Sequence, residues 1–500
     1  VLNPDLRIIF VFLVALFGSM FVLPKLARIA MAIGLTDKPA EKRKVHKIPR
    51  PLVGGIGMII AATFSSLILI PISGMRGYFL GLSVLLLIGF FDDFKELGHK
   101  QKFLAQIVAS LLLIYFSKVY LVTFGDLLGI GDISLPDISW FIWVITIFCV
   151  VGVINAVNLM DGLDGLAGSI SFVAFLTFAI HASLAGQEAL MLLNLALAGA
   201  VLGFLRFNWY PSAMFMGDAG SLCLGFSLAF MALALTQGSN AHVSPVCPLL
   251  ILAVPITDTL TVMGKRILRG KSPFKPDRYH LHHILMRYGI GRVSAVKVIV
   301  GITILLSGVS LLGPIYQIPD VYLFGAFLLY FSIYVGASFC IVYTMKFSLK
   351  YKRKNVERSG CMFWVRRILG GKLNLFSIFR KSPRYDVQLL LVCRENERRL
   401  NFRGTVLNLS SDGFMACLPD LDNLLDRVVA EITFPLDNQL HTLELSAEHL
   451  WVTEEGKRHF HGFRFLEFHG DQKQLVLNFL TQIEKKGGDD FIIAPSVQSN

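Results

Sequence analysis

Over the first two thirds of the chain the hydrophobic positions neither alternate nor recur at helical spacing; they run on almost unbroken. Eleven stretches, at approximately 7–24, 53–72, 77–91, 103–121, 138–157, 167–185, 189–207, 219–237, 247–264, 295–313 and 321–346, are apolar throughout. A helix needs roughly 20 such residues to cross a bilayer, so each stretch predicts a membrane helix, the third being short. The first run is long and lacks a small-residue cleavage pattern behind it, so a span is expected there rather than a cleaved signal. From about residue 385 the period changes. Y-D-V-Q-L-L-L-V, G-T-V-L-N-L, R-V-V-A-E-I-T-F, T-L-E-L-S-A-E-H-L-W-V and H-G-F-R-F-L-E-F alternate in the manner of strands, and an amphipathic helix follows from Lys473 to Lys485.

The expected architecture is therefore a polytopic α-helical membrane protein of about eleven transmembrane helices plus a C-terminal small antiparallel β-barrel. The expected boundaries are 1–346 for the membrane domain, 347–378 for a basic juxtamembrane linker, 379–488 for the barrel domain and 489–500 for a disordered tail.

Composition agrees with this division. Of 500 residues, 54% are hydrophobic and 16% charged, against about 25% charged in a soluble domain. That excludes a soluble enzyme and a disordered protein. Seven cysteines with no C-x-x-C pair indicate neither a metal cage nor a disulfide framework. Much of the positive charge behind the net +12 lies in the linker and in two loops of the membrane domain. One carries Lys25, Arg28, Lys38, Lys42, Arg43, Lys44, Lys47 and Arg50, and the other runs from Lys265 to Arg292. Intervening loops hold almost no positive charge, Arg76 excepted, so the basic loops are expected in the cytoplasm and the charge speaks for a membrane surface, not nucleic acid.

Polar clusters stand out at the ends of the apolar runs, where a membrane protein keeps ionisable groups only for a purpose. Asp92 and Asp93 close the third run in F-D-D-F-K. Asn158, Asp161 and Asp164 close the fifth in N-L-M-D-G-L-D-G-L, and Asp218 precedes the eighth in F-N-W-Y-P-S-A-M-F-M-G-D-A-G-S. His280, His282 and His283 lie in P-D-R-Y-H-L-H-H after the ninth. By loop parity all of them share the cytoplasmic face. Five carboxylates on one face require a counter-charge; all-oxygen ligands favour Mg²⁺ or Mn²⁺. If their segment is helical, Asp161 and Asp164 share a face. Acids to hold a metal, ringed by basic loops and histidines, describe phosphoryl transfer on a pyrophosphate.

In that order, together with D-K-P…H-K-I-P-R-P-L-V-G-G over 37–55, these motifs resemble the polyprenyl-phosphate N-acetylhexosamine-1-phosphate transferases. The resemblance covers about the first 345 residues. It implies transfer of a sugar 1-phosphate from a UDP-N-acetylhexosamine to undecaprenyl phosphate at the inner membrane face, with release of UMP. It implies that Asp218 and Asp164 bind Mg²⁺ (or Mn²⁺) and that Asp92, Asp93, Asp161 and Asp164 are catalytic. Lys47, Asn158, Asn208, His280, His282 and His283 are then expected at the substrate. H-x-H-H after P-D-R resembles the branch that starts surface polymers from UDP-GlcNAc, whereas the UDP-MurNAc-pentapeptide branch tends to show three consecutive histidines. A transporter, the competing class, would place its ionisable residues near the bilayer midplane and often show internal repeats. Homodimerisation is left open.

Two short motifs mark the barrel. Arg380 and Arg384 form R-x-x-x-R, and Asn408, Ser410 and Gly413 form N-x-S-x-x-G. Together at the entry of a β-domain of about 100 residues they resemble PilZ domains, receptors for cyclic di-GMP. The resemblance implies that the arginines meet phosphate and guanine, and that Asn408, Ser410 and Gly413 line the guanine site.

Overall fold

The computed structural model describes residues 4–37, 49–95, 97–238, 243–268, 270, 280–287, 290–351, 384–395, 400–418, 427–436, 439–455, 458–468 and 470–486. Two compact units divide at residues 359 and 360. The expected linker at 347–378 falls largely outside the described residues, as does the expected tail at 489–500.

In the first unit all eleven apolar runs are helical. They are α1 (Pro4–Ile33), α2 (Gly54–Leu69), α3 (Arg76–Lys95), α4 (His99–Ser117), α5 (Ser139–Met160), α6 (Leu166–Leu184), α7 (Glu188–Asn208), α8 (Gly217–Thr236), the pair α9 (Val246–Ile251) and α10 (Ala253–Ile267), then α12 (Arg292–Tyr316) and α13 (Asp320–Tyr351). A short α11 (Leu281–Arg287) precedes α12. Among the described residues, eight helices are long and apolar enough to span a membrane. The ninth run, expected to be continuous, breaks at Leu252 between α9 and α10. Pro255 accounts for the break: it has no N–H for the Ile251 carbonyl, and its ring crowds that carbonyl.

α8 is the axis of the bundle. Of its apolar window 89% is buried, against 22% for α1. Its small residues permit this: a Cβ on Gly225 would strike the backbone of Ile154 in α5, and one on Gly89 of α3 would strike Ala219. Tyr78 and Ser227 share a buried hydrogen bond of 2.9 Å between α3 and α8. The two-residue strands β1 (Thr36–Asp37) and β2 (Arg50–Pro51) pair antiparallel and clip the ends of the first basic loop together.

The second unit is a closed antiparallel barrel in the order β3-β4-β5-β8-β7-β6. Its strands are β3 (Arg384–Glu395), β4 (Leu400–Ser410), β5 (Gly413–Leu418), β6 (Arg427–Leu436), β7 (Gln439–Glu455) and β8 (Arg458–Phe465). Helix α14 (Gln472–Lys486) adds Val476, Phe479, Leu480 and Ile483 to the barrel core, with the Phe479 ring 4.6 Å from that of Phe434. Strand β5 was not among the expected strands.

Candidate functional site

Helix ends from distant parts of the chain meet at one polar cluster. At the end of α3, Asp92 accepts hydrogen bonds from the Leu97 N–H and from Lys102 Nζ, both at 2.7 Å. The same ammonium donates to Asp218 Oδ2 at 2.6 Å, in the first turn of α8. Asn158, at the end of α5, donates to Asp218 Oδ1 at 3.0 Å. Asp93 turns the other way and caps α8, taking the N–H groups of Asp218 at 2.8 Å and Ala219 at 3.2 Å. Carboxylates are favoured there because the first N–H groups of a helix have no partner inside it. Gly217 makes the approach feasible: its φ is +75°, and a Cβ would strike the Asp93 carboxylate.

The D-G-L-D-G segment is a turn, not a helix, because α5 stops at Met160 and Gly165 starts α6 from a φ of +79°. Helical spacing therefore does not set the relation of Asp161 to Asp164. Asp164 Oδ2 lies 3.4 Å from Arg50 Nη1 and accepts the Ser212 N–H at 3.1 Å. Asp161 makes no side-chain hydrogen bond among the described residues. Burial, and then the charges of Asp218 and Asp164, push its carboxyl up to about 7. Asn208 braces the turn from behind: buried, it accepts the Gly165 N–H and donates to the Met214 carbonyl, both at 2.9 Å. The loop before α8 is pinned by hydrogen bonds from Gly54 to Phe215 O at 3.0 Å and from Gly55 to Met216 O at 2.8 Å.

The histidine motif reaches the same place. His282 packs on Gly162 so closely that a Cβ there would strike its ring. Its ring stacks with His280 at 5.9 Å and tilts against His283 at 4.2 Å. Burial, and then His283, lowers the His282 pKa to about 3, so this imidazole is neutral at pH 7. Lys47 lies outside the described residues. The site thus combines a half-shielded acidic floor, an ammonium, a guanidinium and neutral imidazole, the chemistry suited to a pyrophosphate and its counter-cation.

In the barrel, β4 and β5 meet at a tight turn in which Ser410 Oγ donates to the Gly413 carbonyl at 2.9 Å. A Cβ on Gly413 would strike the Phe463 carbonyl, so only glycine fits. Arg384 pairs with Ser410 across β3 and β4, and Asp386 with Asn408, which brings Arg384 beside the N-x-S-x-x-G motif at one end of the barrel. Arg380 lies outside the described residues.

Residues 75–236 match the model of glycosyl transferase family 4, and residues 379–482 match the PilZ domain model. An undecaprenyl-phosphate α-N-acetylglucosaminyl 1-phosphate transferase of Pasteurella multocida is 36% identical over 337 residues, which is 66% of this chain and 92% of the relative. Its namesake in Escherichia coli K12 is 34% identical, over 70% of this chain and 93% of the relative. The chain belongs to glycosyl transferase family 4. It also carries a C-terminal PilZ domain.

Within the glycosyl transferase unit, Lys102 and Asp258 belong to none of the sequence motifs of the site; Lys102 joins it through Asp92 and Asp218, and Asp258 through His280 Nδ1 at 2.7 Å. Arg50 stands both among the loop charges and in the H-K-I-P-R-P-L-V-G-G motif, without a role of its own among the expected site residues. Lys102 shares the start of an apolar run with His99 and Lys100, and Asp258 is a lone acid inside one.

Proposed function

We propose that this protein transfers N-acetylglucosamine 1-phosphate from UDP-GlcNAc to undecaprenyl phosphate, releasing UMP and a lipid-linked sugar that starts a surface polysaccharide. The observation that carries the reading is the single cluster of Asp92, Lys102, Asn158, Asp161 and Asp218 at the ends of membrane helices. The names of the relatives and the H-L-H-H motif support the choice of sugar and acceptor. We place the cluster and the PilZ domain at the cytoplasmic face of a bacterial inner membrane, from the basic loops.

An oxygen of the lipid phosphate attacks the β-phosphorus of the UDP-sugar, and the bond to the UMP oxygen breaks. A phosphate monoester is mostly dianionic at pH 7, with a second pKa near ~6, so deprotonation asks little of the protein. The protein's task is to align two anions and offset their charge. Lys102 and Arg50 supply fixed positive charge. Asn158 fixes the Asp218 carboxylate, and Asn208 holds the turn that carries Asp161 and Asp164. His280, His282 and His283, with Lys47, are assigned to the nucleotide-sugar.

The donor set also fits Mg²⁺ or Mn²⁺. Among the described residues no three His, Cys, Asp or Glu side chains form a closed cage. Mg²⁺, however, is usually held by one or two carboxylates with water and substrate phosphates completing its shell. Asp161, without a hydrogen-bond donor among the described residues, and Asp218 are the residues that would hold it, with Asp164 nearby behind Arg50. Bound there, it would offset the charge of the pyrophosphate.

For the PilZ domain we propose cyclic di-GMP as ligand, bound by Arg380 and Arg384 with Asn408, Ser410 and Gly413, and regulation of the transferase by that ligand. Guanidinium groups pair with phosphate and also stack on a base, as lysine cannot. The deciding experiment is a UMP-release assay on the purified full-length protein with UDP-GlcNAc, UDP-GalNAc and undecaprenyl phosphate, with and without EDTA. Release with UDP-GlcNAc, abolished by EDTA and restored by Mg²⁺, is expected. No UMP release from either sugar nucleotide would sink the reading.

A further inference from the structure

Asp258 lies in α10, wholly buried and used by no step above. A carboxylate inside a membrane bundle survives only if donors surround it, and three do. His280 Nδ1–H donates at 2.7 Å and the Leu281 N–H at 2.9 Å, both from the entry of α11. The third donor is the Tyr334 hydroxyl, from α13. Two turns along α10, the buried Lys265 ammonium donates to the Ser338 carbonyl at 3.1 Å and to its hydroxyl. Tyr334 and Ser338 are one turn apart on α13, as Asp258 and Lys265 are two turns apart on α10. Both contacts therefore lie on one face of each helix and fix the rotation and register of α13 against α10.

We infer that Asp258 is a positioning residue for the nucleotide-sugar site, and that α13 sets its hold on the histidine motif through Tyr334. With its Nδ1 proton committed to Asp258, His280 has a fixed ring plane and tautomer, its Nε2 directed away from α10. His280 stacks on His282, and His282 abuts Gly162 in the turn that carries Asp161. A continuous line of contacts thus runs from the last membrane helix to the acidic turn, with Asp258 as the junction where α10, α11 and α13 meet. Losing the Tyr334 bond frees one carboxylate lone pair and relaxes the His280 ring. Losing the carboxylate charge weakens all three bonds together.

The inference rests on the proposed binding of the nucleotide-sugar by the histidine motif. It is tested by steady-state UMP release from full-length wild type, Tyr334→Phe, Asp258→Asn, His280→Ala and the Tyr334→Phe/His280→Ala double variant. Expected is a rise in KM for UDP-GlcNAc of about tenfold in Asp258→Asn and about threefold in Tyr334→Phe, with KM for undecaprenyl phosphate within about twofold. If Tyr334 acts through His280, the Tyr334→Phe effect disappears on the His280→Ala background. Should Asp258→Asn fail to fold, Tyr334→Phe, which removes a single oxygen, carries the test. An unchanged KM in Tyr334→Phe, or an undiminished effect of that substitution without His280, overturns the inference and leaves the proposed activity standing. A wild type that releases no UMP overturns both.

Discussion

Lys102 Nζ stands 2.6 Å from Asp218 Oδ2 and ties the first turn of α4 to the first turn of α8. The same ammonium serves Asp92, so a single cation offsets two carboxylates at the mouth of the bundle. Lysine is the suitable residue because a compact ammonium with rotatable donors can serve two acceptors at once.

Removal of that cation is expected to leave two acids facing each other. The pairs are only partly shielded, with Lys102 22% and Asp218 28% exposed, so the cost in Lys102→Met is about 1–3 kcal/mol and not the larger cost of a fully buried pair. UMP release should fall at least about tenfold, with a smaller loss when Mg²⁺ is raised, because added cation replaces part of the missing charge. A variant with wild-type rate at low Mg²⁺ would remove Lys102 from the site.

Asp93→Asn separates a structural role from a proton-transfer role. Both Asp93 oxygens accept backbone N–H groups at the start of α8, and an amide has only one oxygen to offer. Stability should fall by about 0.5–2 kcal/mol, as for other lost caps, and activity should fall with it as Asp218 loses its fixed place. Thermal unfolding in detergent reads the first and UMP release the second. An unchanged Tm with a collapsed kcat would make Asp93 the base instead.

Asp161 gives a pH signature. Its carboxyl is raised to about 7, well above the roughly 3.9 of an unfolded chain. The folded state therefore binds the proton more tightly, and stability is lost as pH rises between those two values, fully so above the folded one. Asp161→Asn should raise the Tm in EDTA near pH 8.5, with a clearly smaller gain near pH 5. Mg²⁺ should narrow the gain at the higher pH. An equal effect at both values would mean that Asp161 titrates normally.

Much of this molecule was legible because membrane spans announce themselves through length and apolarity alone, which need no partner. The break at Leu252 was hidden by uniform hydropathy, although Pro255 marks it once helix hydrogen bonding is counted residue by residue. Strand β5 is only six residues long and begins directly at Gly413, the last residue of the N-x-S-x-x-G motif. The acids of the site were visible as motifs, but their partners were not. Lys102 meets Asp218 across 116 residues and Tyr334 meets Asp258 across 76, and such pairs are set by helix packing rather than by local pattern.

Orientation has its own test. A cysteine introduced at Asp132 should react with an impermeant maleimide added to intact cells, and one at Gly270 only after lysis. The reverse pattern would put the cluster on the side that lacks UDP-sugars.

The last prediction joins the two units functionally. Cyclic di-GMP should bind the full-length protein saturably, and the rate of UMP release should change across the same titration. Arg384 opens β3 in register with Ser410 at the end of β4, so Arg384 lies beside the N-x-S-x-x-G motif at one end of the PilZ barrel. Two phosphates must be offset there, and charge-assisted hydrogen bonds from guanidinium are the strong kind. Arg384→Ala should therefore weaken binding by about 1.5–3 kcal/mol, roughly tenfold to a hundredfold, and higher salt should weaken wild-type binding as well. Arg384→Lys should restore little, because an ammonium neither forks onto phosphate nor stacks on guanine. Binding alters the rate only if the dinucleotide prefers one conformation of the whole enzyme. Calorimetry and the UMP assay are thus read on the same preparation. Binding with a flat rate would assign the PilZ domain to localisation or recruitment, and absence of binding at micromolar ligand would leave its two motifs without a ligand.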